Sequence, residues 1–431
     1  MVAELLNMIT GSGFENAETS MEKIKKTTFS LINKNIISHN IVKERSFCRL
    51  FRGGYSETGF SISGSEENSF RKALINISGL NPMYKEKRDM SDFLPEKATQ
   101  VNMNMYDTAY SEIGKKEFED IRVLIDESCL NFPGLELDFL RFSKSEKKYY
   151  LTNTKGLNVK YRKTGFLVEL KFILNENSIM VSRYSSHFNA LNPLRLVPRA
   201  FTLLNSLTDN ELQRKKRYTF VFSQEASSSI LRIFSPFFLP SGNGDVKKVN
   251  FPRVLNIIDN KTIEDQPGAV PFDDEGIQGG ETVIVEKGVF NTPITNIKSA
   301  VHRNTISSGN GFRRGESPFT SVNFSNLYIK PTVLPVANLL KSSSESVLIS
   351  LVRLKYREGK NYIFSAYGYM FRNGKREEPV HFHFSTTFLS FFLNIIKISS
   401  ELKFFHSDIN VGSSYLLLEG KNGPGDRIVE I

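Results

Sequence analysis

Apolar positions in the first half of the chain switch between helical and alternating spacing. Ile24, Leu31 and Ile32 fall near one face of a 3.6-residue repeat, which predicts an amphipathic helix over Met21 to Asn35. Phe47 to Ser63 reads as a hairpin turning at Gly53-Gly54. Ser65 is placed to cap a helix with Glu66 and Glu67 in its first turn, a stripe of Phe70, Leu74 and Ile77, and a stop at Gly79. The polar, proline-punctuated stretch from Pro82 to Asn104 predicts an extended connection, and Lys115 to Cys129 another helix. Strands follow at Leu135 to Ser143, Tyr149 to Asn153, Asn158 to Lys163 and Phe166 to Leu174. Alternation is clearest at Phe166, Val168, Leu170 and Phe172, and Asn153 to Gly156 has turn chemistry. Helical spacing from Pro198 to Leu207 closes this half. The expected division is an α+β domain over 1–210 and a β-rich α+β domain over 211–431.

The second half opens with a strand at Thr219 to Phe222 and a helix at Gln224 to Phe234, which Pro236 and Pro240 end. Val283 to Phe290 reads as a strand broken by a turn at Lys287-Gly288. Val347 to Tyr356 and Tyr362 to Phe371 flank a turn at Glu358-Gly359, and Asn373-Gly374 marks the next turn. Leu389, Phe392, Leu393 and Ile396, with Phe388, Phe391 and Ile395 beside them, predict one buried helix from Thr386 to Leu402. Leu416 to Leu418 is a closing strand. The fold class this implies is α+β, in two domains, with mixed or antiparallel sheets covered by helices.

Composition changes little of that picture. The 431 residues, 40% hydrophobic and 24% charged, describe an ordinary globular chain with room for two cores. Thirty-five phenylalanines and no tryptophan point to compositional bias rather than a site. Two cysteines, Cys48 and Cys129, make no disulfide framework and fit a reducing compartment. The N-terminal residues lack signal-peptide features, and the most apolar run, Phe388 to Ile398, is too short to span a bilayer and carries Lys397. A cytoplasmic location without membrane association is expected. The formal charge of +10 raises the question of nucleic acid, but the basic residues form small scattered groups at 23–26, 144–148, 160–163 and 214–217. Recognition of nucleic acid needs them on one surface, so it is disfavoured.

Two short segments carry the candidate chemistry. Asp273-Asp274-Glu275-Gly276 sets three carboxylates before a glycine; such a run can coordinate a hard cation, bind a cationic group or form a solvated turn, and the solvated turn is the default. Ser308-Gly309-Asn310-Gly311 has a pliable backbone whose amides can approach a ligand or a neighbouring strand, though a surface turn accounts for it equally well. In this order, with Val285 to Val289 between them and Leu418 to Gly420 near the end, these elements resemble the TldD/PmbA family. Tyr150 to Leu157, and Phe51 to Ser63 with the helix after it, agree more loosely.

In the TldD branch of that family, the resemblance implies a zinc-binding HExxxH helix in which two histidines hold the metal and the glutamate serves as base. Here the matching stretch reads Gln224-Glu225-Ala226-Ser227-Ser228-Ser229, and no cysteine follows Cys129 to act as a further ligand. The chain therefore resembles the PmbA/TldE branch, which implies no catalytic residue and no cofactor of its own. Zinc is expected in a TldD-type partner, joined as a heterodimer, with a homodimer as the alternative, and the implied substrate is an extended peptide that is unfolded or modified. Asp273 to Gly276 and Ser308 to Gly311 are the expected peptide-cleft or partner contacts. Glu225 is read as a helix-surface residue rather than a base. A different class of reading is a self-sufficient homo-oligomeric hydrolase using His381 and His383, which share one face of a strand; a pair of ordinary strand histidines is favoured because a closed metal site needs more ligands. A third reading is a gyrase- or DNA-associated binding protein.

Overall fold

The computed structural model describes residues 6, 9, 14–32, 35–52, 56–78, 91–97, 101–213, 217–242, 244, 246, 249–422 and 428–431. The expected turn at Gly53-Gly54, the stop at Gly79 and much of the connection after Pro82 lie outside them.

Six antiparallel strands build the first sheet: β1 (Asn16–Ile32), β2 (Asn35–Arg52), β3 (Ser56–Ser63), β4 (Leu135–Asn153), β5 (Asn158–Leu174) and β6 (Asn177–Ser185), in the order β3-β2-β1-β4-β5-β6. The helix expected over Met21 to Asn35 is therefore a strand. β1 pairs with β2 from Asn16↔Phe51 to Ile32↔Asn35 and with β4 from Glu18↔Asn153 to Leu31↔Leu140. Hydrogen bonding on both edges outweighs a local helical spacing. The spacing itself misled, since Leu31 and Ile32 point to opposite faces of a strand. Likewise the four shorter strands expected after Leu135 merge into β4 and β5. The charged gaps between them are satisfied laterally, with Arg162 on Glu146 and Lys147 on Glu22.

One face of this sheet carries Phe142, Phe166, Val168, Leu170 and Phe172. They pack against Phe118, Ile121 and Ile125 of the Lys115–Cys129 helix and Ala200, Leu203 and Leu204 of the Leu196–Ser206 helix. The Glu67–Ser78 helix buries Phe70 and Leu74, as its stripe predicts. Ser65, however, donates to the Glu44 carboxylate at 2.6 Å.

In the second half, strands Arg217–Phe222, Glu345–Glu358, Asn361–Arg372, Lys375–Thr386, Ile428–Glu430 and Leu416–Asn422 pair in that order, and the last pairs back with the first. The ring closes with no free edge between these members. Asn373 and Gly374, at φ 50° and 76°, make the left-handed two-residue turn that their dipeptide predicts. A second sheet joins the short strands Ile257–Asn260, Glu281–Glu286, Val289–Phe290, Asn326–Ile329, Lys403–His406 and Asn410–Ser413.

The long helix expected from Thr386 to Leu402 is instead a short helix, Phe388–Leu393, followed by a strand, Ile395–Ile398, paired with Leu416 to Leu418. Thr387 caps the helix by accepting from Ser390 N–H at 3.0 Å, and β-branched Ile395, Ile396 and Ile398 favour the extended backbone that follows. The phenylalanine surplus is used here. Phe388, Phe391 and Phe392 meet Phe234, Phe237, Phe238 and Phe251 at centroid distances from 4.4 to 6.3 Å. No helix among the described residues is long and apolar enough to cross a membrane.

Candidate functional site

The acidic turn is not solvated. Asp273 and Glu275 have no exposed surface and Asp274 is 8% exposed, which overturns the default reading of a water-facing turn. Carboxylates leave water only when other donors replace it, and each of these accepts at least one hydrogen bond. Asp273 Oδ1 accepts from the amides of Glu275 and Ile277 at 3.0 and 2.9 Å, and Oδ2 from Gly311 N–H at 2.8 Å. Burial and then the neighbouring Glu275 carboxylate push the Asp273 carboxyl well above its usual range. Asp274 accepts from Arg313 N–H at 2.8 Å. Glu275 accepts from Arg49 at 2.9 Å, from the Thr320 hydroxyl at 2.6 Å and from Ile297 N–H at 2.7 Å, where a helix begins. Gly276 sits at φ 78°, and a Cβ there would meet Leu157 Cδ2 at 2.3 Å.

The second segment folds against the first. Asn310, fully buried, donates to Asp259 at 2.6 Å and accepts from Lys261 at 3.2 Å. Ser308 donates to Asn310 Oδ1 at 2.8 Å and offers its carbonyl to Lys261 at 2.9 Å. Gly309 takes φ 71°, and a Cβ on Gly311 would strike the Glu275 carboxylate at 2.6 Å. All eight expected contact residues thus belong to one connected group.

Its third component was not visible in the sequence. Arg49 of β2, 2% exposed, reaches Glu275 and also Glu18 of β1 at 3.1 Å and Glu57 of β3 at 3.4 Å. Arg313 closes the circuit, bonding to Glu18, to the Tyr149 hydroxyl at 2.8 Å and to the Asp274 carbonyl at 2.7 Å. Against the cost of burial, Glu18, Glu275 and Glu57 hold the Arg49 charge firmly in place, and Tyr149, Glu18 and Asp274 do the same for Arg313. Beside this group Lys147 and Lys163 face each other directly across β4 and β5. Like charges so placed compete. Despite burial, Tyr161, Asp274 and Glu22 keep Lys147 charged. Lys163, partly buried, is lowered to about 7 by desolvation and then by Lys147, and donates to the carbonyls of Pro267 and Ala269 at 3.0 and 3.2 Å.

The Gln224–Phe234 helix is a separate place. Ser223 caps it, accepting from Ala226 N–H at 3.2 Å. Gln224 donates its amide to the Glu401 carbonyl at 2.6 Å, and Ser229 donates to the Glu225 carbonyl at 2.9 Å. Arg199 takes both carboxylate oxygens of Glu225, at 3.0 and 2.7 Å, while its guanidinium lies over Phe405. This donor set does not fit a zinc ion: an amide and a hydroxyl stand at the histidine positions, and the carboxylate is occupied by a fixed cation. Further cations crowd the same spot. Burial and then Arg199 lower Lys403 to about 8, and Arg183 is lowered by burial and then by Arg195.

His381 and His383 do share a face, with ring centroids 4.8 Å apart. The Lys355 amine lies 3.3 Å from His383 Nε2 and Ser365 Oγ 3.2 Å from Nδ1, so both ring nitrogens already have neighbours. No group of three or more His, Cys, Asp or Glu among the described residues is arranged to hold a metal ion.

The chain is similar to known proteins in part of its sequence and in its fold. Residues 215–422 match the model for the PmbA/TldA metallopeptidase C-terminal domain. A metalloprotease of Methanocaldococcus jannaschii is 33% identical over 96 residues, covering 22% of this chain and 21% of its own length. A metalloprotease TldD homolog of Buchnera aphidicola is 26% identical over 142 residues, covering 31% of this chain and 29% of the relative. The chain thus spans less than a third of the length of these curated relatives. By structure it is similar to TldE from Thermococcus kodakarensis, with a TM-score of 0.83 and 14% identity over 97% of this chain and 98% of that one. A Thermotoga maritima protein described as a candidate modulator of a DNA gyrase gives a TM-score of 0.80 and 18% identity over 96% and 97% of the two chains. Residues 215–422 thus carry a PmbA/TldA-type C-terminal domain, and nearly the whole chain shares the fold of these solved structures.

Proposed function

We propose that this chain is a PmbA/TldE-like, non-catalytic subunit of a TldD-type zinc metallopeptidase complex that acts on unfolded or modified peptides. One observation carries the reading. At the place where a TldD-type helix would present a base to zinc-bound water, Arg199 occupies both oxygens of Glu225. Both oxygens of that carboxylate are thereby taken up by a guanidinium, and Gln224 and Ser229 beside it are engaged elsewhere. The chain's contribution is then to shape the cleft and admit a peptide, which sheet edges can hold through backbone contacts alone.

The eight residues of the acidic turn and the Ser-Gly-Asn loop serve that role from within. The burial of all of them but Ser308 supports a part in fixing the C-terminal half against the first sheet, so that cleft and partner surfaces keep their shape. Division near residue 210 and a cytoplasmic location belong to the same proposal. It is tested by purifying the chain alone and mixed with a TldD-type protein, then following size and cleavage of an unfolded peptide. A stable mixed complex that cleaves, with no cleavage by this chain alone, is expected. Cleavage by this chain alone would overturn the reading.

A further inference from the structure

The β1–β2 hairpin outruns its neighbour. β3 pairs with β2 only from Arg45 to Arg52, and among the described residues no strand covers the outer edge of β2 from Ile36 to Lys43. Exposed edges are normally blunted by charge, proline or a bulge. This one has no proline and no Lys, Arg, Asp or Glu from Ile36 to Val42, and its pairing with β1 runs without a bulge. Ile37 and Val42 are 51% and 66% exposed, and Ser38, His39 and Asn40 are exposed between them.

The direction of the backbone groups is fixed. Glu44 turns its carbonyl away from β1, toward Gly64 N–H at 2.7 Å. Alternation then turns the N–H and C=O of Ile36, Ser38, Asn40 and Val42 outward as well. The side chains are arranged symmetrically about His39: Ser38 and Asn40 flank it, then Ile37 and Ile41, then Ile36 and Val42.

We propose that the outer edge of β2 from Ile36 to Val42 is a self-pairing surface, joining two copies of this chain antiparallel about a twofold axis at His39. A twofold axis normal to the sheet keeps each side chain on its own face, so the pairs must share parity. Centring on His39 meets that condition and lets Ser38 exchange both backbone hydrogen bonds with Asn40 of the second copy, and Ile36 with Val42. The same register sets Ile37 against Ile41 on one face and Ile36 against Val42 on the other, apolar upon apolar at each. Moving the centre two residues in either direction loses these matches: centred on Ile41, Asn40 falls opposite Val42 and Ser38 opposite Glu44. The symmetry of the sequence favours a second copy over an unrelated strand.

Cysteine crosslinking of the full chain tests the register. His39→Cys would place two thiols in a non-hydrogen-bonded pair with Cα atoms about 4.5 Å apart, inside the range of about 4.4–6.8 Å that a disulfide spans. Ile37→Cys would stand roughly 13 Å from its own copy and directly opposite position 41. Background is low because Cys48 and Cys129 are buried. Under mild oxidation His39→Cys should form a covalent dimer and Ile37→Cys alone should not, whereas Ile37→Cys mixed with Ile41→Cys should. Val42→Lys, at an exposed position, should leave the fold intact and make the native chain monomeric by light scattering. A monomeric native chain, or crosslinking of Ile37→Cys as readily as His39→Cys, would overturn the proposal.

Discussion

Glu225 and Glu275 both lie in segments that a family motif picks out, yet they occupy opposite environments. Glu225 sits on a helix with 19% of its side chain exposed, held by one arginine. Glu275 has no exposed surface and is held by Arg49, Thr320 and the start of a helix, in a network reaching Glu18 and Glu57 on the first sheet. A partly exposed ion pair adds little to stability, so the first position is open to chemical change. Removing one member of a buried network leaves bare charge behind, so the second is locked to its partners. The difference separates a buried joint with several partners from a partly exposed helix position whose carboxylate is taken up by a single arginine.

Breaking the joint should have the largest effect. Arg49→Ala leaves Glu18 and Glu275 without their shared cation and should cost about 3–5 kcal/mol in urea unfolding. A cost near that of a surface substitution would mean the network is not what ties the halves together.

Lys163 sharpens the same region through pH. Its folded pKa of about 7 lies below the roughly 10.4 expected when unfolded. Below pH 7 both states carry the proton, and the cost of burying the cation is fully present. Between the two values the unfolded chain holds a proton that the folded one has shed, so stability rises with pH by up to about 1.4 kcal/mol per unit. Above 10.4 the cost is gone. Unfolding between pH 7 and 9 should show this slope, and Lys163→Met should remove it.

The helix site should respond more mildly. Arg199→Ala is expected to cost about 1 kcal/mol in thermal unfolding. Smallest of all, His383→Ala should shift stability by no more than about 0.5 kcal/mol, without changing metal content. Zinc lost with His383 would reverse the assignment of that pair.

The sequence displayed these regions unequally. Turns were legible wherever their residues impose a backbone geometry, as at Asn373-Gly374, Lys287-Gly288 and Asn153 to Gly156. The Gln224–Phe234 helix was legible because Pro236 and Pro240 end it, while its cap at Ser223 emerged only in the structure. β1 was not, since the evidence for it lies in β2 and β4, distant in the chain. Phe388 and its neighbours fit a helix until Ile395, where pairing with Leu418 decides the conformation. The acidic turn read as solvated because three adjacent carboxylates usually are. Arg49, 226 residues away from Glu275, gives no local sign of reaching it. That Gln224 and Ser229 stand where the resemblance implies histidines was readable in the sequence, but Arg199 on Glu225 was not.

In the proposed complex another subunit supplies the zinc, so the most direct measurement is zinc per protein by mass spectrometry, for the chain alone and after mixing with a TldD-type protein. The prediction is no stoichiometric zinc in this chain alone, and zinc together with peptide cleavage in the mixed complex. Stoichiometric zinc in the isolated chain would contradict it.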